Sequence, residues 1–194
     1  MDARGKFIVI EGTEGSGKAI QFERLVLALP EGAKVGTLEF PQYDEPSSYF
    51  IKRYLTGKYG GEAGPYAVSV FYAADRFDSK LKILQWLSEG RTVVANHYVA
   101  STMSSQGARF DTKDERERFY EWVYSVEYGA FGIPKPDVNI LLHGPTAGNQ
   151  IYQEIAAHFP GDFAVVECME HGTLLAPDKI HEKVLGIVLK ALAG

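Results

Sequence analysis

The clearest chemistry in this chain lies in Gly12-Thr13-Glu14-Gly15-Ser16-Gly17-Lys18, the G-x-x-x-x-G-K spacing of a phosphate-binding loop. Glycines let a backbone turn so sharply that its N–H groups converge on one point. A helix beginning there adds partial positive charge, and Lys18 adds a full one. Contacts to a nucleotide are expected from Gly12, Gly15, Ser16, Gly17, Lys18 and Ala19, with Lys18 as the phosphate clamp and Glu14 placed to act near the phosphates. The bland alternative is a glycine-rich turn carrying a solvated lysine. The pattern also breaks at its next position. Where the motif has a Ser or Thr whose hydroxyl ligates magnesium, this chain has Ala19 and then Ile20. No side chain is expected to act as a metal ligand.

The flanking residues supply the elements that such a loop needs. Phe7 to Ile10 is an apolar run suited to a strand buried on both faces. Phe22, Leu25, Val26 and Leu29 recur at helical spacing until Pro30 stops them. After a turn at Gly32, Lys34 to Phe40 reads as a second strand, which Pro41 and Pro46 end. Ser47 or Ser48 caps a short helix to Leu55, and a single long helix is expected from Tyr66 to Leu87. Arg91 to Ala95 is the next strand, with Asn96-His97-Tyr98 at its carboxyl end and an irregular serine-rich segment to Phe110. Thr112 and Glu115 form a capping box for a helix to about Tyr128. Strand Val138 to Leu142, a helix at Gln150 to His158, strand Phe163 to Val166 and a helix opening at Pro177 complete the chain. Short apolar strands alternating with helices predict an α/β fold with a parallel sheet, which binds ligands at the carboxyl ends of its strands.

The 194 residues suit one domain, expected to span 1–194, with no repeat, low-complexity tract or linker. A composition of 45% hydrophobic and 23% charged residues is that of a globular protein. The net charge of −5 argues against non-specific nucleic-acid partners and cationic membrane surfaces. The one cysteine, Cys168, rules out an internal disulfide and a cysteine-based zinc site. No apolar run is long enough for a membrane span, and the first strand begins too soon for a signal peptide. The expected setting is soluble and intracellular, cytoplasmic by default; an organellar form would need a presequence already removed.

Several stretches, in order, resemble the thymidylate kinases among P-loop nucleoside monophosphate kinases. FIVIEGTEGSGK resembles their opening strand and phosphate loop, and FPQYDEP their Phe-Pro-Arg-Tyr stretch. FYAADRF resembles a helix whose aromatic stacks on thymine and whose arginine contacts the base. VVANHYVASTMSSQGA resembles their third strand and the Gln-Gly that lines the base pocket. The resemblance implies a P-loop NTPase fold with five parallel strands in the order 2-3-1-4-5, flanked by helices. It implies ATP and thymidine monophosphate as ligands, with Phe71, Arg76, His97 and Gln106 on the substrate side. Each of these also has an ordinary structural reading: an apolar helix face for Phe71 and Tyr72, a surface pair for Arg76 with Asp75, a satisfied histidine for His97 and a loop position for Gln106.

The departures from the family pattern fall where charge is handled. Ala19 and Ile20 remove the magnesium-holding hydroxyl, and Gln42 stands in place of the arginine that meets the acceptor phosphate. Asn96 and His97 replace an Asp-Arg pair, with His97 a partial cation at neutral pH. The connection Gly144 to Gly148 leaves no room for a basic lid. The expectation that follows is a pseudoenzyme that keeps its phosphate loop and serves as a nucleotide-binding protein or an accessory subunit among other protein subunits. The alternative is an active or weakly active kinase transferring the ATP γ-phosphate to thymidine monophosphate.

Overall fold

The computed structural model describes residues 4–30, 33–146 and 148–193; the turn expected at Gly32 lies outside them. In chain order the elements are β1 (Phe7–Gly12), α1 (Lys18–Ala28), β2 (Val35–Glu39), α2 (Tyr49–Leu55), α3 (Pro65–Asp78), α4 (Lys80–Ser88) and β3 (Thr92–Asn96). Then come α5 (Val99–Gly107), α6 (Lys113–Tyr124), β4 (Val138–His143), α7 (Asn149–His158), β5 (Ala164–Glu167), β6 (Met169–Glu170), β7 (Thr173–Leu174) and α8 (Pro177–Ala193). The five long strands form one parallel sheet in the order β2-β3-β1-β4-β5. Both the fold class and the strand order agree with the expectation.

Every residue of β1 is buried, because helices cover both faces of the sheet. Side chains alternate between those faces. Phe7 and Val9 pack with Leu38, Val93 and Tyr98, while Ile8 and Ile10 pack with Leu25, Val184 and Val188. Burying a side chain of this size stabilises the fold by about 1.5–3 kcal/mol. The register pairs Ile10 with Asn96, Asn96 with Glu39 and Gly12 with Leu142, so all these strand ends meet along one edge.

Four features differ from the expectation. The long helix is two, α3 and α4, which meet at Ser79, the C-cap of the first and the N-cap of the second; its side chain makes no capping hydrogen bond. The serine-rich segment is a helix, α5, whose Val99, Ala100, Met103, Gln106 and Gly107 are buried, while Ser101, Ser104 and Ser105 turn to the other side. The helix after the Thr112–Glu115 capping box ends at Tyr124 and continues as a π-helical turn, Ser125–Ala130. The hairpin β6–β7 has no strong apolar pattern and was not expected. The connections on either side of α7 are residues 144–148 and 159–163, and no helix among the described residues is long and apolar enough to cross a membrane.

Candidate functional site

The glycine loop joins β1 to α1 as the motif requires. Gly15 and Gly17 lie at φ 77° and 80°, left-handed values that a side chain would strain. Ser16 is buried and its Oγ donates to the Thr13 carbonyl at 2.7 Å, closing the loop on itself. Lys18 Nζ donates to the Gly12 carbonyl at 2.9 Å, so the amine is held back along the loop. The connection after β4 braces this loop. A Cβ at Gly144 would lie 2.9 Å from Ser16 Cα, one at Gly148 would lie 2.9 Å from Thr13 Cγ2, and Thr13 Oγ1 donates to Asn149 Oδ1 at 3.1 Å.

Beside the loop lies a cavity of about 480 Å³. Gly12, Thr13 and Glu14 form its loop end; Phe40, Pro41 and Tyr43 form one wall; Tyr72, Arg76, His97 and Tyr98 form the floor. α5 adds Ser101, Thr102, Ser104 and Ser105, and the β4–α7 side adds Thr146 and Tyr152. Most of these residues carry a hydroxyl group. Arg76 is anchored from below: Nε donates to Glu127 Oε2 at 2.8 Å, Nη2 to Thr102 Oγ1 at 2.8 Å and to Glu127 Oε1, and Nη1 to the Tyr98 carbonyl at 3.1 Å. A guanidinium has five N–H donors, so one Nη1 hydrogen is left for a ligand.

Not every expected substrate residue meets the cavity. Arg76 and His97 line it. Phe71 does not: it stacks on Phe50 at 5.3 Å and lies 5.7 Å from Tyr59, away from the cavity. Tyr72 takes the wall position because it stands four residues before Arg76, on the same helix face. Gln106 is also absent from the lining, since it is buried on the opposite side of α5, where it accepts from Arg109 at 3.1 Å. Ser104 and Ser105 occupy that wall instead. Gln42 points away, its Nε2 donating to the Asp75 carbonyl at 3.3 Å. Glu127 was not foreseen; the π-helical turn that carries it, a feature frequent at functional sites, leaves no mark on apolar spacing.

Burial sets the charge state here. Glu11, at the end of β1, is fully buried, which pushes its carboxyl up from the usual range against the pull of Ser101 and Lys18. It accepts from the Tyr98 and Ser101 N–H groups at 2.9 and 3.3 Å and from Ser101 Oγ. Burial likewise lowers the Lys18 amine, opposed by Glu11 and Glu14. His97, at φ 62°, is lowered to about 4 by burial, then by Lys18 and Arg76. It is therefore neutral near pH 7, which corrects the expectation of a partial cation. With Glu11 ionised, the one proton of Ser101 Oγ goes to it, and His97 Nδ1–H then donates to that oxygen at 2.6 Å, leaving Nε2 as an acceptor.

The magnesium question can be put to the donors present. Ala19 and Ile20 are exposed and carry no side-chain oxygen. Asn96 Oδ1 is buried without a partner, while its Nδ2 donates to Glu39 at 3.1 Å. One neutral carbonyl oxygen is far from the octahedral oxygen set magnesium demands. Among the described residues no group of three or more His, Cys, Asp or Glu is placed to hold a metal. This donor set does not fit a protein-held ion.

A five-stranded parallel sheet whose first strand runs through a G-x-x-x-x-G-K loop into a helix is the architecture of a P-loop NTPase. The structure of thymidylate kinase from Candida albicans shares that fold, with a TM-score of 0.74 at 20% identity over 98% of this chain and 93% of that one. Residues 10–165 match the family model described as thymidylate kinase. The chain belongs to the thymidylate kinase family. It is 34% identical over 139 residues to the thymidylate kinase of Mycobacterium tuberculosis strain H37Rv, covering 70% of this chain and 64% of that protein. It is 30% identical over 141 residues to that of Homo sapiens, covering 72% and 61%. The match thus spans less than two thirds of the length of these relatives.

Proposed function

We propose that this chain binds ATP at the glycine loop and a thymidine nucleotide in the adjoining cavity, and that it carries out the family reaction, phosphoryl transfer between them, far more slowly than an ordinary kinase. The observation that carries this reading is that Gly12, Thr13 and Glu14 belong to both the loop and the cavity. A donor phosphate and an acceptor would meet there without any further chain movement. Phosphoryl transfer depends on positioning and on stabilising charge rather than on covalent help from the protein. Here the loop N–H groups and the α1 terminus hold the donor phosphates, and Lys18 clamps them once it releases the Gly12 carbonyl. Tyr72 presents its ring to the base, and the remaining Arg76 Nη1 hydrogen meets a base carbonyl. Magnesium enters as part of the nucleotide and is held by phosphate and water.

The rate is expected to be low because Ala19, Ile20, Gln42, Asn96 and His97 stand where the family pattern has groups that handle the metal and the acceptor phosphate. A charged hydrogen bond to phosphate contributes roughly 1.5–3 kcal/mol, and a transition-state arginine about 10³–10⁵ in rate. Gln42 and His97 replace neither. A second reading, a nucleotide-binding accessory subunit without turnover, is favoured by the tie of the Gln42 carboxamide to the α3 backbone. The test is an assay of purified protein with ATP, magnesium and thymidine monophosphate, following ADP and thymidine diphosphate. The expected turnover is at least about a thousandfold below the ordinary ~1–100 s⁻¹, and Lys18→Ala abolishes it. A rate in the ordinary range overturns the slowed-kinase reading. Binding of both nucleotides with no product at all leaves the accessory subunit.

A further inference from the structure

We infer that the cavity recognises the base and sugar of its ligand but not a 5′-phosphate, so that unphosphorylated thymidine binds as tightly as thymidine monophosphate. The inference rests on the assignment of the cavity to a thymidine ligand and deepens it.

The charges facing the cavity carry the argument. Only two charged side chains belong to its described lining, Glu14 and Arg76. Arg76 is buried against Glu127, which neutralises it, and four contacts already occupy its donors. The lone hydrogen it has left suits one neutral acceptor such as a base carbonyl. Glu14 is negative and exposed at the loop end. A phosphomonoester carries about −1.5 to −2 charges at neutral pH, and Glu14 brings a carboxylate of the same sign to that end of the cavity.

The two side chains best placed to answer a phosphate do not. Gln42 is neutral and its carboxamide faces the Asp75 carbonyl. His97 donates through Nδ1 to Ser101 and presents Nε2 as a lone pair. That lone pair accepts a ligand O–H, which a free sugar hydroxyl offers and a phosphate dianion does not. The groove beyond His97 adds Glu39, Asp44 and Glu45 against a single Lys82, and that amine sits over the Trp86 ring at 4.8 Å. Lys18 remains on the donor side, tied to Gly12. Removing the phosphate therefore takes away no cation contact, and the hydroxyl-rich walls still meet sugar and base.

Calorimetric titration of thymidine and of thymidine monophosphate into the full chain, with the glycine loop filled by a non-hydrolysable ATP analogue, tests this. The expected dissociation constants agree within about threefold, where one charged hydrogen bond would separate them by about ten- to a hundredfold. Gln42→Arg supplies a cation at the rim and should shift the preference toward the monophosphate by about tenfold. Tyr72→Ala should weaken both ligands alike. A natural chain that binds the monophosphate ten times more tightly overturns the inference and leaves the proposed function standing. If neither ligand binds, the assignment of the cavity falls, and the inference with it.

Discussion

The pair beneath the cavity offers the sharpest test of the structure. Arg76 and Glu127 are 2% and 1% exposed and form a buried ion pair. Glu127→Ala leaves a buried guanidinium with one carbonyl and one hydroxyl acceptor and no carboxylate in hydrogen-bond contact among the described residues. Breaking a buried ion pair in this way costs about 3–5 kcal/mol. For a chain of this size each kcal/mol moves the melting temperature by about 2–4 °C, so the expected fall is roughly 6–20 °C. Arg76→Met combined with Glu127→Leu removes both charges. It leaves the Tyr98 carbonyl without its donor, which costs about 1–3 kcal/mol, but strands no ion, so it should be less damaging than the single change. Urea denaturation followed by circular dichroism measures both. A loss below about 1 kcal/mol for Glu127→Ala, or a double variant as unstable as the single, would mean that water reaches the guanidinium and that the floor is not dry.

Three further outcomes follow from residues already described. Lys18→Ala should weaken ATP binding about ten- to a hundredfold, and titrations with magnesium and with EDTA should give nearly the same affinity; strong magnesium dependence would reveal a ligand outside the donors considered. Gly144→Ala drives a methyl to 2.9 Å from Ser16 Cα, and overpacking of this kind costs about 1–3 kcal/mol. Both melting temperature and ATP affinity should fall, and an unchanged affinity would disconnect the brace from the loop. His97 is held at about 4 rather than near 6.5, so an unfolding chain takes up its proton first as pH falls. Its stabilising contribution is complete above pH 6.5 and is lost as pH falls toward 4. His97→Gln should flatten the acid side of the stability profile in that window, while Glu11, shifted the other way, stays in both chains. An acid slope that His97→Gln leaves unchanged refutes the shift.

The sheet was legible in the sequence because strands buried on both faces read as short apolar runs, as Phe7 to Ile10 and Ile140 to Leu142 do. The phosphate loop was legible because its glycines sit where only left-handed backbone fits. The cavity walls were harder to read, since neighbours on a helix face opposite ways. Phe71 and Tyr72 are equally aromatic, and only their angle to Arg76 decides which one meets the ligand. The α5 serines suggested irregular chain because serine prefers caps. Yet Val99, Ala100 and Met103 bury a helical face beneath them, and the serines themselves become cavity wall. Glu127 gave no local signal because its partner lies fifty-one residues away.

The strand order has a consequence for how the protein is made. β1 and its loop leave the ribosome before the strands they pair with: one edge of β1 pairs with β3 and the other with β4, which ends at His143. At about 5–20 residues per second, the phosphate-loop strand waits roughly 7–26 s for its second neighbour. During that interval a strand that is apolar from Phe7 to Ile10 offers an unpaired edge, the feature that invites pairing with other chains. The loop that would hold a nucleotide is thus made well before the strand that encloses it.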